Sequence, residues 1–471
     1  MRIAAIDQGT TSTRLLLADS AGDIRIAHSV RHGQHYPNPG WVEHDPLELL
    51  RNVAACVTEA GQVDAIGLDN QGESCLAWDA VSGEPLSPVI VWQDSRTRET
   101  LERLRADGAE ELTLARAGLP LDPYFSASKL GWIMANVPAA RAALAAGRLR
   151  LGTTDSFFLD RLGERFVTDA TTASRTSLMN LAACTWDEEL CRLFGVPIEA
   201  LPPIGPTAGT VIATIGKVPL TASVVDQQAA LYGHGCRKPG DAKITFGTGA
   251  FALALTGSRI VQSPETGLLP TVAWKIGDET TYAVDGGVYD AGAAVEWLGR
   301  IGLMKGVEEL QSFAEPAAID RDLVFVPALS GLACPHWDRS AAGLWLGLSA
   351  DTTRELMLQS ALEGIALATV DVIGAMDGEV VLGSTLSIDG GLSRSPYFTQ
   401  FLADALQRRI VTQSFDELTG FGCAAMAALA LNGELPPLQG KSSVLDGRPG
   451  KGSNWRSKFA DAVSRCRGWR Q

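Results

Sequence analysis

The sequence predicts an α/β protein built twice over, with two lobes of helix-flanked sheet and a cleft between them. Three observations carry that expectation. A chain of 471 residues exceeds what one ordinary hydrophobic core organises, so two large domains are the default. Short β-rich runs alternate with helical runs, and the pattern restarts after the turn-rich stretch 233–240, which holds Lys238-Pro239-Gly240. Each half also contains one hairpin with a Gly/Thr turn, and the two copies lie about 240 residues apart. The division therefore falls between residues 1–233 and 234–471.

Taken in order, residues 3–6 read as a strand, Asp7-Gln8-Gly9-Thr10-Thr11-Ser12 as a turn and 15–18 as the return strand. Asp45 reads as the N-cap of a helix over 46–60, and 97–105 as a second helix; 63–68 and 89–92 read as buried strands. Residues 139–146 are Ala-rich and helical, 201–206 form a Pro-rich connector, and 218–225 a strand that runs into a helix start at Asp226. In the second half, 243–246 and 251–255 flank the turn Gly247-Thr248-Gly249. Strands over 280–284, 323–326 and 385–388 follow, with helices over 291–301, 356–375 and 422–431. The apolar residues of 356–375 are spaced for one face, and 447–454 is polar and loop-like.

Composition narrows the function. The chain is 46% hydrophobic and 20% charged with a formal charge of −14, which argues against a nucleic-acid or membrane-surface partner. No secretory signal pattern is expected at residues 1–20, and no apolar run approaches the roughly 18 residues of a membrane span. The eight cysteines form no CxxC pairs and the six histidines do not gather beside them, so reduced thiols in a cytoplasmic protein are expected rather than a zinc site.

The chemistry concentrates at the hairpins. Glycine lets backbone approach a ligand, and consecutive N–H groups with Thr/Ser hydroxyls ring a phosphate with donors. A strand ending in aspartate recurs at Asp7, Asp226 and Asp389. Such a residue caps a turn or helix, or it sits at the crevice where α/β proteins bind ligands. Beside phosphate-binding hairpins, a division of labour makes sense. Asp7 would hold Mg²⁺ through water. Asp226 would take a proton from an attacking hydroxyl, and Asp389-Gly390-Gly391 would bring backbone to an adenine or ribose. Arg14, four residues after Thr10, is placed to face a phosphate or to lie exposed on its strand.

These segments resemble the FGGY carbohydrate kinase family, and within it the branch that phosphorylates glycerol. DQGTTSTR at 7–14, NQGES at 70–74, IVWQDSRT at 90–97 and LDPYFSASK at 121–129 carry the resemblance in the first half. DQQAALYG at 226–233, FGTGAF at 246–251, AGAAVEWL at 291–298 and IDGGLSRSPYF at 388–398 continue it in family order. The resemblance implies two actin-like (ribonuclease H-like) lobes closing on ATP, Mg²⁺ and a small polyol or sugar, in a homodimer or homotetramer. It implies Asp226 as catalytic base, with Glu73, Trp92, Tyr124, Gln227 and Phe251 around the polyol. Thr10, Thr11, Ser12 and Arg14 would take phosphates from the first lobe, and Gly247, Thr248, Gly249 and Gly292 from the second. Gly390 and Gly391 would lie near the adenosine, with Glu296 and Ser395 in place of a family glutamine and asparagine at the nucleotide.

One departure bears on the acceptor. Gly72 stands where the glycerol-phosphorylating branch carries an arginine that contacts a terminal substrate oxygen. Either another arginine reaches in, with Arg96 and Arg175 as candidates, or a larger polyol such as a tetritol fills the space. A ketopentose kinase shares both hairpins and Asp226, and the walls Trp92, Tyr124 and Phe251 favour the polyol. A nucleotide-switched binding protein, or a sensor that binds polyol without turnover, would have other needs. The first requires no carboxylate opposite the γ-phosphate, and the second follows if Gly72 is a lesion.

Overall fold

The structure is a computed structural model and describes residues 1–413, 415, 417–438 and 442–470. Among these, thirteen strands form one long twisted sheet, labelled here in chain order. The first half supplies β1 Arg2–Gln8, β2 Ser12–Asp19, β3 Ile24–Arg31, β4 Ala65–Asn70, β5 Ala208–Ile215 and β6 Val218–Val225. The second supplies β7 Ala242–Phe246, β8 Ala250–Gly257, β9 Leu269–Ile276, β10 Glu279–Val288, β11 Thr385–Gly390, β12 Arg409–Thr412 and β13 Ser443–Leu445. Their spatial order is β13-β12-β11-β7-β8-β10-β9-β5-β6-β4-β1-β2-β3. Within the sheet the halves are laddered at a single residue pair, Ala208 with Ile276.

The two halves repeat one layout. β1 pairs antiparallel with β2 on one side and parallel with β4 on the other. β7 does the same with β8 and β11. Each Gly/Thr turn therefore sits at the same corner of its lobe, at the end of the central strand. The continuous apolar run of β1 explains its central place: Ile3 and Ala5 pack into one core cluster and Ala4 and Ile6 into another.

Seven helices position the site: α1 Pro46–Ala60, α2 Ala170–Ser174, α3 Asp226–Gly233, α4 Gly292–Arg300, α5 Arg354–Glu379, α6 Pro396–Leu406 and α7 Leu418–Ala428. The α1 start is the expected one, with the Asp45 side chain accepting from the Leu47 N–H. The expected single apolar face of the long helix is not what forms. α5 is buried on all sides from Leu358 to Val370, and it is the one helix among the described residues long and apolar enough to cross a membrane by composition. It spends that hydrophobicity on the core of the second lobe. The strand expected over 89–92 stops at Ile90, leaving Trp92 in the following turn. A last helix over Trp455–Cys466 follows the polar tail.

α7 belongs to the second half of the sequence yet packs on β1, β4 and β6 of the first lobe and crosses α3. The crossing is a backbone-to-backbone contact. A Cβ at Gly422 would lie 1.8 Å from the Ala229 carbonyl oxygen, and one at Gly233 would lie 2.0 Å from that of Leu418. The helix thus begins four residues before the expected start at Gly422, because that glycine serves the crossing and not a terminus. Gly422→Ala should therefore cost about 3 kcal/mol or more, because the clash is with main chain that has nowhere to move. Chemical denaturation of the variant against wild type checks this.

Candidate active site

The two Gly/Thr turns share a crevice. Thr10 from the β1–β2 turn and Gly247, Thr248 and Gly249 from the β7–β8 turn all line one cavity of about 170 Å³. Asp226 and Gln227 form its floor as the first residues of α3, and Glu73, Trp92, Tyr124 and Phe251 form its walls. The expected acceptor residues are therefore together.

Each turn is tied down. In the first, the Gly9 N–H donates to Ser12 O at 3.0 Å and the Trp92 indole N–H donates to Thr10 Oγ1 at 3.0 Å. In the second, the N–H groups of Ala291 and Ala293 donate to Thr248 O at 3.1 and 2.9 Å. The N–H of Gly292 donates to Gly247 O at 3.0 Å. Gly292 thus holds the turn rather than lining the cavity, and its N–H is already committed.

Other expected nucleotide residues lie outside the cavity lining. Thr11 is exposed and Ser12 half-buried beside it. The Arg14 guanidinium is taken by Glu417, with Nη1 at 2.9 and 3.0 Å from its two oxygens, a bond that crosses from β2 to the start of α7. Glu296, Gly390 and Gly391 are exposed on the second lobe. Ser395 is buried, donates to Leu310 O and accepts from the Phe398 N–H at 3.2 Å, so its hydroxyl caps α6. Its geometry is that of a helix cap.

The carboxylates are electrostatically unusual. Burial, reinforced by the charges of Glu73 and Asp7, pushes Asp226 up to about 7, although its oxygen accepts from the Gln227 N–H at 2.6 Å. Asp7 faces Asp69 across the parallel β1–β4 register. Burial raises both, and Asp69 stands well above the usual range because Asp7 and Asp226 add like charge. The Asp69 carboxyl lies against that of Asp7, with the Cys423 thiol beside it. No group of three metal-ligating side chains is arranged to hold a metal by itself among the described residues.

Of the two arginines expected to reach in, Arg175 follows α2 and lines the cavity. Its Nε donates to Glu73 Oε1 at 2.7 Å and its Nη2 lies 3.1 Å from Asp285 Oδ2 on β10. Arg96 does not reach. It is paired with Asp94 and Glu43 at 2.7 Å each and lies over the Trp41 ring at 3.8 Å. Nor does Gly72 leave a void in the cavity wall. It sits in a left-handed turn with φ of +53°, where a Cβ would meet Val225 Cγ1 at 3.1 Å. An arginine side chain would be strained there.

Three residues in this cluster escaped the sequence: Asp69, Asp285 and Lys243. Lys243 is fully buried, and its Nζ donates to Gln227 Oε1 and, at 2.8 Å, to Thr245 Oγ1. A lysine inside an apolar strand was the available signal, since such a group is buried only when paired.

Two lobes of one layout, each aiming a Gly/Thr turn at a carboxyl group held near neutrality, place the protein among two-lobed phosphotransferases. Comparison with known proteins narrows this. Residues 2–233 match the N-terminal domain of the FGGY family of carbohydrate kinases, and residues 242–431 match its C-terminal domain. A glycerol kinase of Alkalilimnicola ehrlichii is 40% identical over 99% of this chain and 98% of its own. The structure of Plasmodium falciparum glycerol kinase with ADP superposes with a TM-score of 0.89 at 28% identity, over 99% of this chain and 98% of that one. A xylulose kinase from Lactobacillus acidophilus shares the fold at TM-score 0.87 and 21% identity, over 99% of both chains. The chain belongs to the FGGY family of carbohydrate kinases, and it is a kinase.

The second turn offers a direct test of how it is held. A Cβ at Gly292 would lie 2.4 Å from Gly247 O, whereas one at Gly391 meets nothing within 4 Å. Gly292→Ala should lower stability by about 1–3 kcal/mol. Gly391→Ala should stay within about 0.5 kcal/mol of wild type. Thermal melts of the two variants make the comparison.

Proposed function

We propose that the protein transfers the γ-phosphoryl group of ATP to a hydroxyl of glycerol or a closely related small polyol. The observation that carries this reading is Asp226, whose raised carboxyl shares one cavity with both Gly/Thr turns. A proton acceptor is most effective near the working pH, and burial has moved this carboxylate there. The names of the full-length relatives make glycerol the first acceptor to test.

In this reading the acceptor lies between Trp92, Tyr124 and Phe251, whose rings cover its carbon chain and exclude water. Its reacting hydroxyl points to Asp226, which takes the proton as oxygen attacks phosphorus. Gln227, held by Lys243, orients a second hydroxyl. Thr10 and the Gly247–Gly249 turn hold the triphosphate in line, and Thr11, Ser12 and Arg14 approach it once the lobes close. Closure also shuts out the water that would otherwise accept the phosphoryl group. Arg14 would have to leave Glu417 to do so. Gly390, Gly391 and Glu296 border the space left for the adenosine.

The carboxylates also fit a divalent cation. Asp7, Asp69 and Asp226 raise one another by burial and like charge, which Arg14 and Lys243 offset only in part, an environment that suits the Mg²⁺ that accompanies a triphosphate. Asp7 would hold it through water, and Mg²⁺ would offset phosphate charge.

Asp226→Asn should lower kcat by about 100-fold or more while the KM values for both substrates move only a few-fold. The base works when ionised, so the wild-type kcat/KM should rise with pH up to about 7 and then level off. A flat profile from pH 5.5 to 8.5, or full activity in the Asn variant, removes Asp226 from this role.

A further inference from the structure

Among the described residues, four polar atoms of the cavity lining have no protein partner, namely Gln71 Oε1, Gln228 Oε1, Arg175 Nη1 and Asp285 Oδ1, and the last two belong to one ion pair. Arg175 and Glu73 are each 3% exposed and Asp285 is 8% exposed, and all three line the cavity. Arg175 spends Nε on Glu73 and Nη2 on Asp285 Oδ2, which leaves Nη1 without a hydrogen-bond partner. On the other side of the same ion pair, Asp285 Oδ1 is also without one among the described residues. A buried guanidinium N–H and a buried carboxylate oxygen are costly to leave unmade. One is a donor and the other an acceptor.

We propose that Arg175 and Asp285 are acceptor-binding residues that together seat one non-reacting hydroxyl of an uncharged polyol, an inference that rests on the function proposed above. A hydroxyl is the group that fits both orphans, because its oxygen accepts from Nη1 while its proton goes to Oδ1. A ketone oxygen answers Nη1 and leaves Oδ1 unpaired. A carboxylate meets the charge of Asp285, and the cavity already carries the carboxylates of Glu73 and Asp226 against one arginine and the neighbouring Lys243. The seat therefore selects a polyol over a ketose and over a sugar acid. It also does the work of the arginine absent at position 72, from a different element. Arg175 comes from the first lobe and Asp285 from the second, so the seat is complete only when the lobes are held together.

A purely structural ion pair would look similar at rest, so the test must read the seated hydroxyl itself. Wild type, Arg175→Lys and Asp285→Asn are assayed for kcat/KM with glycerol, propane-1,2-diol and propane-1,3-diol, with thermal melts confirming that each variant is folded. In wild type, the diol lacking the seated hydroxyl should be poorer than glycerol by about 100-fold or more. In the variants that ratio should shrink at least tenfold, through a higher glycerol KM, while the KM for ATP changes less than about threefold. Folded variants that keep the wild-type ratio overturn the proposal and leave the kinase reading intact. Should neither variant fold, wild type decides. Both diols used as well as glycerol overturns the seat, and one diol about 100-fold poorer with dihydroxyacetone equally poor supports it. A wild type that phosphorylates no polyol overturns the functional reading instead.

Discussion

The whole arrangement rests on a contact with no side chains in it, where α3 and α7 cross at Gly233 and Gly422. α3 begins at Asp226, and α7 returns from the second half to lie on the first sheet, so their separation sets where the carboxyl stands relative to both turns. Because the clash distances involve main-chain atoms, a larger residue at either glycine moves a helix rather than a rotamer. The sheet contributes little to this joint, since the two halves ladder there at Ala208 and Ile276, beside one bond from the Thr207 N–H to Lys275 O.

Around that joint the protein concentrates charge in a dry place. Glu73, Arg175, Asp285 and Lys243 are buried in one neighbourhood with the half-buried Asp226, and each acquires its state from the others. Burial depresses Lys243, and the carboxylates Asp389 and Asp226 pull it back. Tyr124 is pushed well above the usual phenol range by burial and by Glu73. Removing one member of such a buried set costs about 3–5 kcal/mol, because its partners are left uncompensated. Ion pairs also tie the two halves together. Arg14–Glu417, Arg175–Asp285 and Arg339–Asp122 each join the first half of the chain to the second. The exposed Arg339 pair is held weakly, while the buried Arg175 pair is not.

Much of this was legible from local patterns. Gly/Thr turns between apolar runs marked both hairpins, and the strand-then-Asp pattern marked Asp226, because turns and strand ends are decided by a few adjacent residues. What stayed hidden depends on contacts across long sequence separations. Arg175 and Glu73 are 102 residues apart, and Arg14 and Glu417 are 403 apart. Asp69 is ordinary at the end of a strand until register sets it against Asp7. The helix start expected at Gly422 lies at Leu418, because Gly422 is spent on a crossing with α3 that only the tertiary fold reveals. The capping role of the Ser395 hydroxyl was likewise not legible, since the family resemblance drew it toward the nucleotide.

The claim at the centre is geometric: two turns from distant parts of the chain grip one triphosphate and aim it at a hydroxyl held by Asp226. A crystal structure with a non-hydrolysable ATP analogue and glycerol tests it most directly. The account predicts phosphate oxygens contacting both the Thr10 and the Thr248 turns, with one glycerol hydroxyl about 2.6–3.2 Å from an Asp226 oxygen. A triphosphate bound by one turn alone, or glycerol seated away from Asp226, would contradict it.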